Sequence, residues 1–523
     1  MKNGVAKSLI ASLAASTVAL ATTLPTAAEI QKNMGMGYNV GNSMEVPNDP
    51  TAWGNPYPTQ ELLDSVKAAG FSTVRIPCAW DSHASNGNIN KSWLDSVQTV
   101  VNYAMRAGLY TILNIHHEGE GGWFQSNIGT SVDAGINTKM KNYWTQIATQ
   151  FKDYDEHLIF AGANEPGPNV NTWTSEHVKT LMTYYQTFID AVRSTGGNNE
   201  TRTLIIQGLN TDIDKSVASA PVSTFPKDKT EGRLMFEVHY YDPYQYTLMA
   251  ESQNWGADEM IMPQYYYGAD YLGTDPKRNA GYNAWSKSVD AKLYSITHPN
   301  EQFAKIKSNY VDKGYPTIVG EFGANARSPE LSGSDLDKHK KGRVLWHKDV
   351  VQAAKNYGLT PILWDMGNES NSYDNMTYLR RQTSKFGGTM GKVVDIDVIN
   401  AMRSVYGLGN YVNNGVTHNE NFMTNDSPEP PSSSSMEPSQ SSSSATTDFA
   451  TGKLPSVSQR LYMNGRLLLA IGSAKELCVF DLNGNQVAYV RTTSGRASLD
   501  ITKLQQGIYI AKFGEQSLRI STK

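Results

Sequence analysis

Eight short apolar runs, separated by longer stretches with helical spacing, constrain this 523-residue chain more than any other feature. They are 35–40 (GMGYNV), 73–78 (TVRIPC), 110–116 (YTILNIH), 158–163 (LIFAGA), 203–209 (TLIIQGL), 234–239 (LMFEVH), 316–320 (PTIVG) and 361–364 (PILW). Stretches such as 59–69, 93–107 and 344–357 read as helices between them. Near-continuous apolar runs suit strands covered on both faces, and strand–helix alternation implies a parallel sheet. Eight such strands predict an α/β fold, a (β/α)8 TIM barrel with enlarged loops. A doubly wound open sheet is the alternative, but no G-x-G-x-x-G follows the first run.

The barrel does not account for the whole chain. Residues 425–447 (NDSPEPPSSSSMEPSQSSSSATT) hold no large apolar side chain except Met436, and Ser and Pro keep such a stretch from forming a core. It reads as a linker between a catalytic unit over 29–412 and a small unit over 453–523. The small unit carries ten Lys/Arg against four Asp/Glu, whereas the rest of the chain carries 36 against 46. An acidic body excludes a nucleic-acid substrate, which requires a basic surface. Segments 476–482, 486–491, 497–501, 508–513 and 517–521 alternate with period two, and Asn483-Gly484 is a strong hairpin signal. The small unit is therefore expected to be an all-β sandwich.

The first 28 residues, with Lys2 and Lys7 ahead of an Ala-rich apolar stretch and Thr26-Ala27-Ala28 at its end, read as a signal peptide. The mature chain is then expected to start near Glu29, and a buried N-terminal helix is the competing reading. No run is long enough for a transmembrane segment. The cysteines, Cys78 and Cys478, fall in different units, so no disulfide within a unit and no cysteine metal site is expected. A secreted or surface-associated monomer follows.

In a barrel of this kind the chemistry sits where strands end. Asn39 and Asn42 lie at the first strand, Arg75 in the second, and His116, His117 and Glu118 after the third. Asn164-Glu165-Pro166 follow the fourth, His239-Tyr240-Tyr241 the sixth, Glu321 the seventh, and Trp364 ends the eighth. Strands four and seven lie nearly opposite, so Glu165 and Glu321 converge on one substrate atom, as glycosidic cleavage by paired carboxylates requires. Arg75 is placed to keep Glu321 ionised, Tyr241 to donate to the same carboxylate, and Asn164 to donate to a sugar 2-hydroxyl. Glu321 would attack the anomeric carbon while Glu165 protonates the leaving oxygen. A separation of roughly 5 Å would give retention.

His116-His117-Glu118 also admits a metal reading, but neighbours on a strand point to opposite faces and no H-E-x-x-H helix is present. His116 is expected to contact substrate or a carboxylate; for His117 a contact and a bystander role stay open. Trp364 is either core or a sugar-stacking platform. His157, His347 and Tyr265-Tyr266-Tyr267 read as structural, although the tyrosines could line a cleft.

The segments GNSMEVPNDPTAWGNPYPTQELLDSVKAAGFSTVRIPCAW, LYTILNIHHEGEGGWF, HLIFAGANEPG, FEVHYYDPY, PTIVGEFGA and PILWDMGN, taken in order, resemble glycoside hydrolase family 5, and within it subfamily 4. The resemblance implies a retaining endo-β-glucanase that needs no cofactor, with Glu165 as acid/base and Glu321 as nucleophile. It also implies Arg75, His116, Asn164, His239, Tyr241 and Trp364 as the surrounding shell, and Asn42 at a subsite. Tyr38 stands where the family usually has Trp, Glu45 where it has Asp, and FAGANEPG replaces a more usual FEAMNEPR. Cellulose and related β-glucans are the expected substrates. Xyloglucan, xylan and mannan are alternatives within the family, and a non-catalytic polysaccharide-binding protein is an alternative outside it. The segments VFDLNGNQVAYV and LDITKLQQGIYIAKF resemble the sorting domains of type IX secretion substrates and the basic terminal domains of fibrolytic enzymes. That implies secretion or cell-surface machinery as a partner. A carbohydrate-binding module is the rival, though all ten Trp precede the linker.

Overall fold

The computed structural model describes residues 24–118, 122–168, 173–328, 331–369, 375–420 and 422 of the large unit. In the small unit it describes 460–464, 467–471, 476–481, 486–491, 496–501, 504, 507–514 and 516–522. The Ser/Pro-rich stretch 425–447 lies outside the described residues, as does Asn483-Gly484.

All eight apolar runs become strands of one closed parallel barrel. In chain order they are β1 (Gly37–Val40), β2 (Thr73–Ile76), β3 (Tyr110–Asn114) and β4 (Leu158–Ala161). The others are β5 (Leu204–Gln207), β6 (Leu234–Tyr240), β7 (Thr317–Phe322) and β8 (Thr360–Asp365), and β8 pairs with β1 to close the ring. Both faces of each strand are covered, which is why the runs are apolar rather than alternating. Along β6, Phe236, Val238 and Tyr240 pack outward in the large core, while Met235 turns inward. Period two then turns Glu237 and His239 inward as well.

The interior is layered. Ile112, Ile159, Ala161, Ile205, Met235, Ile318 and Ile362 form an apolar floor. Two residues further along their strands stand Asn114, Gln207 and Glu237, buried and polar, joined by Asn39 and Arg75. Helix α1 (Ala27–Met34) seals the floor from below with Ala27, Ile30 and Met34. Thr26 caps this helix and exchanges a capping box with Glu29. Arg233 donates to the carbonyls of Leu24 and Pro25, and the Leu24 N–H donates to Thr201 Oγ1 at 3.2 Å. The expected mature start near Glu29 thus falls inside a docked helix, while the leader stretch 1–23, for which signal peptide and buried helix compete, lies outside the described residues.

Two helices match expectation closely, Gln60–Ala68 and Lys91–Arg106. The third, expected over 344–357, is Gly333–Asn356. Its first turns read GSDLDKHKKG, and the buried residues there include His339 and Gly342 rather than aliphatics, so apolar periodicity did not mark them. Between β6 and helix Thr297–Asn309 lies a long insertion. It holds the hairpin Tyr282–Asn283/Ser288–Val289 and a small cluster of Met249, Ile261 and Ala284.

The small unit, taken by itself, has two antiparallel sheets. One contains Arg460–Asn464, Leu467–Ile471 and Arg496–Asp500; the other contains Gln486–Arg491, Glu476–Phe480, Gly507–Phe513 and Gln516–Thr522. Leu468, Ala470 and Ala497 of the first meet Leu477, Val479, Ala511 and Phe513 of the second in one core, so the expected sandwich forms. Its first two strands had no counterpart in the sequence reading. LLLAI is apolar throughout and escapes a period-two test. Among the described residues no helix is long and apolar enough to cross a membrane.

Candidate active site

At the C-terminal end of the barrel, the polar interior layer opens into a cleft through Glu165 and Glu321. Arg75 organises it. Its Nη1 donates to Glu321 Oε1 at 2.9 Å and to Asn39 Oδ1 at 3.0 Å, and its Nη2 donates to Asn164 Oδ1 at 2.7 Å. Asn39 in turn donates to the Gly320 carbonyl at 2.9 Å, which ties β1 to the residue before Glu321. The Tyr241 hydroxyl donates to Glu321 Oε2 at 3.0 Å. Both oxygens of this carboxylate therefore accept a hydrogen bond. Glu321 is still within β7, where the pairing register shifts between Val319 and Glu321, not beyond the strand as expected.

Glu165 stands across the cleft, with its side chain one-third exposed. Its Oε1 accepts from His239 Nδ1 at 2.6 Å, and its backbone N–H donates to Gln125 Oε1 at 3.4 Å. Gln125 Oε1 also accepts from Asn164 Nδ2 at 3.1 Å. His239 Nδ1 lies 3.7 Å from Glu321 Oε2, and atoms of Glu165, His239 and Glu321 all lie within 4.8 Å of one another.

The electrostatics follow from burial. Burial alone would lower the His239 imidazole, but the Glu321, Glu165 and Glu237 carboxylates overcome it and raise it to about 10. At Glu165, burial pulls upward, yet the hydrogen bond and charge of His239 and the charge of Arg75 hold the carboxyl below the ordinary glutamate value. Burial lifts Glu321 above that value, with His239 and Arg75 pulling it back. Two buried carboxylates, Glu237 and Glu321, and the one-third exposed Glu165 thus face two cations, Arg75 and His239.

The remaining expected residues divide. His116 is buried, with Nδ1 3.2 Å from Asn114 Nδ2, and its ring stacks on Trp364 at 5.9 Å. Burial and the neighbouring His117, Arg75 and His239 charges keep it neutral, well below the usual histidine value. His117 stacks on exposed Trp53 at 6.3 Å, so it belongs to the cleft wall. Trp364 is half-buried, and its indole lies where a Cβ on Gly41 would stand, 2.8 Å from the ring. Asn42 enters through its backbone: φ is +53°, its N–H donates to Glu45, and its carbonyl accepts from Asn55 Nδ2 at 2.9 Å.

Glu118 turns away from the histidines and accepts from the backbone N–H groups of Trp80, Asp81 and Ser82, which removes it from any histidine metal site. The Glu165–His239–Glu321 group has metal-like spacing, but its donors are committed to one another and Arg75 already supplies positive charge there. His347 bonds the Arg343 carbonyl and the Tyr378 hydroxyl in the core, and His157 pairs with Asp155 at 3.1 Å. Tyr265, Tyr266 and Tyr267 are buried and do not line the cleft. Sequence reasoning missed Glu237, Gln207, Gln125 and Asn114. For Glu237 a signal existed, the single charge inside LMFEVH, two residues before His239.

On the Glu165 side the cleft widens into a groove of about 420 Å³ bordered by Thr211, Asp212, Lys215, Tyr241 and Tyr244. A hollow of 430 Å³ at the opposite end of the barrel, lined by Gln31, Gly35, Lys355 and Tyr406, has neither carboxylate nor histidine among the described residues that line it. Volume alone does not mark the site.

Glu45, after β1, is fully buried, and its two oxygens accept from the N–H groups of Asn42 and Ser43. Burial pushes its carboxyl up to about 7, against those hydrogen bonds. A folded-state value above the unfolded one means stability present at low pH and lost as pH rises toward 7, by about 3 kcal/mol for such a shift. Glu45→Gln should match wild type in melting temperature near pH 4.5 and exceed it at pH 8. An equal offset at both pH values would show that ionisation of Glu45 does not strain the fold.

The profile of the family described as Cellulase (glycosyl hydrolase family 5) matches residues 36–370, well over half of the chain. The chain belongs to glycoside hydrolase family 5. The endoglucanase A of Paenibacillus barcinonensis is 35% identical over 365 residues, covering 65% of this chain and 83% of the relative. A family 5 xyloglucan-specific β-1,4-glucanase from a ruminal metagenomic library, solved in complex with XXLG, is 34% identical with a TM-score of 0.63. That match covers 77% of this chain and 100% of the other. A subfamily 4 broad-specificity endoglucanase from Ruminococcus champanellensis with bound cellotriose is 28% identical with a TM-score of 0.56, covering 72% and 98%. Residues 463–523 match a secretion system C-terminal sorting domain, so this family 5 glycoside hydrolase carries the address of a secreted or cell-surface protein.

Proposed function

We propose that this glycoside hydrolase cleaves β-1,4-glucosidic bonds within cellulose and related β-glucans by double displacement, with Glu321 as nucleophile and Glu165 as acid/base. The observation that carries the reading is the asymmetric clamp on two carboxylates within 4.8 Å. Arg75 and Tyr241 donate to both oxygens of Glu321, which favours an ionised, oriented nucleophile. Glu165 has one strong partner, His239, and opens onto the groove where a leaving sugar would lie. The short separation suits retention.

With a glycosyl ring between the carboxyls, the anomeric carbon faces Glu321 and the leaving oxygen faces Glu165, so the acid proton belongs on Glu165. Glu321 attacks, the C–O bond breaks, and the proton passes to the leaving oxygen. Glu165, now ionised, takes a proton from the water that releases the glycosyl group. Asn164, held by Arg75 and Gln125, is the donor for the 2-hydroxyl.

Glu165→Ala should lower turnover of polysaccharide by about 10²–10⁴-fold, the usual worth of a general acid. It should leave the glycosylation burst on 2,4-dinitrophenyl cellobioside nearly intact, because that leaving group needs no proton, and azide should restore release of the glycosyl group. Equal loss on both substrates, with no azide effect, would remove Glu165 from this role. Xyloglucan is the second reading, favoured by the similarity to xyloglucan-specific glucanases.

We also infer that a leader is removed upstream of Leu24. Leu24, Pro25 and Thr26 are tied to Thr201, Arg233 and Glu29, so a chain starting at Glu29 would lack the cap and first turn of α1. Ala19-Leu20-Ala21 satisfies the small-residue rule ahead of that segment. Amino-terminal sequencing of exported enzyme should give Thr22; Glu29 would refute the inference.

A further inference from the structure

We propose that Glu237, sealed beneath the cleft, is a positioning residue that couples the holder of the acid/base to the holder of the nucleophile. The proposal rests on the assignment of Glu165 and Glu321 above. Glu237 is fully buried on the inward face of β6 between Met235 and His239, so it does not touch substrate. Its Oε1 lies 3.2 Å from His239 Nε2 and 3.2 Å from Arg75 Nε, the latter an ion pair without hydrogen-bond alignment. Its Oε2 accepts from Gln207 Nε2 at 2.6 Å. Gln207 is itself fixed, because its Oε1 accepts from the Tyr185 hydroxyl at 2.7 Å and the Ala163 N–H at 3.2 Å.

One carboxylate therefore stands behind both catalytic groups. Through His239 it reaches Glu165, and through Arg75 it reaches Glu321. The fold makes room for it specifically: a Cβ on Gly320, the residue before Glu321, would lie 1.9 Å from Glu237 Oε1. The backbone that carries the nucleophile is bare where this carboxylate sits. Together with Glu321 and Glu165 it holds His239 as the imidazolium, so that Nδ1–H points at Glu165, and it engages only the Nε edge of Arg75, leaving Nη1 and Nη2 for Glu321 and Asn164. The ionisable groups around the Glu237–His239 pair are Arg75, Glu165, Glu321, Tyr241, Tyr185 and His116. Removing one negative charge from among them makes every remaining carboxyl easier to ionise.

The test is Glu237→Gln, an isostere without the charge, compared with Glu237→Asp. Glu237→Gln should lower kcat about 10- to 100-fold with KM within about twofold, the usual effect of losing the partner that orients a functional histidine. Both limbs of its kcat/KM profile should move to lower pH by half a unit or more, and Glu237→Asp should move them back toward wild type. A merely structural carboxylate would lower the melting temperature and leave both limbs in place; that result, or kcat within twofold of wild type, overturns the proposal. If neither variant folds, 15N-histidine spectra of the wild-type enzyme decide. His239 doubly protonated at pH 8 supports the coupling, and neutral His239 at pH 7 overturns it. The dinitrophenyl cellobioside and azide experiment on Glu165→Ala separately reports whether the underlying assignment has failed.

Discussion

Glu321→Gln should abolish viscosity loss on carboxymethylcellulose and mixed-linkage glucan, with kcat/KM down on the order of 10⁴-fold, while the protein stays folded. The scale is that of removing one member of a catalytic unit. The amide still fills the space between Arg75 and Tyr241, but it cannot attack an anomeric carbon. Stability should be equal to or above wild type, because a buried carboxyl that burial has already raised is replaced by a neutral amide. The same factor should apply to xyloglucan, xylan and mannan wherever wild type acts on them, since the nucleophile is common to all. Wild-type rates on the panel rank the substrates. Residual activity within tenfold of wild type would place the nucleophile elsewhere.

The second large effect is expected at Arg75, and it combines activity with stability. Arg75→Met leaves Glu237 and Glu321 buried beside the single cation of His239, and Asn39 and Asn164 without their donor. Breaking a buried pair in this way costs about 3–5 kcal/mol. A cooperative unfolding midpoint well below wild type and loss of hydrolysis should appear together. Arg75→Lys should regain part of the stability but little activity, because an ammonium is a point donor and cannot serve Glu321, Asn164 and Glu237 from one rigid plane. Full recovery by lysine would mean that only the charge matters at this position. Chelators should leave turnover unchanged, as expected for two carboxylates working alone.

The barrel strands were legible because burial on both faces compresses each strand into a dense apolar run, and eight such runs allow few architectures. The residues at their ends were legible for the same reason: a polar group that interrupts an apolar run at its exit must face the cleft. Glu237 obeys the same logic but lies inside its run, where a lone charge is easily read as an exception rather than as the inward partner of His239. Helix α1 was hidden by its composition. Its Ala-rich start satisfies both a cleavage-site rule and a helix packed on a barrel floor, and only the cap at Thr26 and the Arg233 contacts separate the two. The early turns of Gly333–Asn356 and the strand Leu467–Ile471 escaped because burial there is recorded by polar residues or by unbroken aliphatics, not by a period.

The floor beneath the catalytic layers has a consequence for assembly. Helix α1 is the first described element to be synthesised, yet its seat is built from Ile112, Ile159, Ile205, Met235, Ile318 and Ile362, the last of them more than three hundred residues downstream. Such contacts carry the loop-closure entropy of distant positions, which raises the contact order of the barrel. The complete seat of this helix therefore exists only once strands from both ends of the barrel sequence have come together.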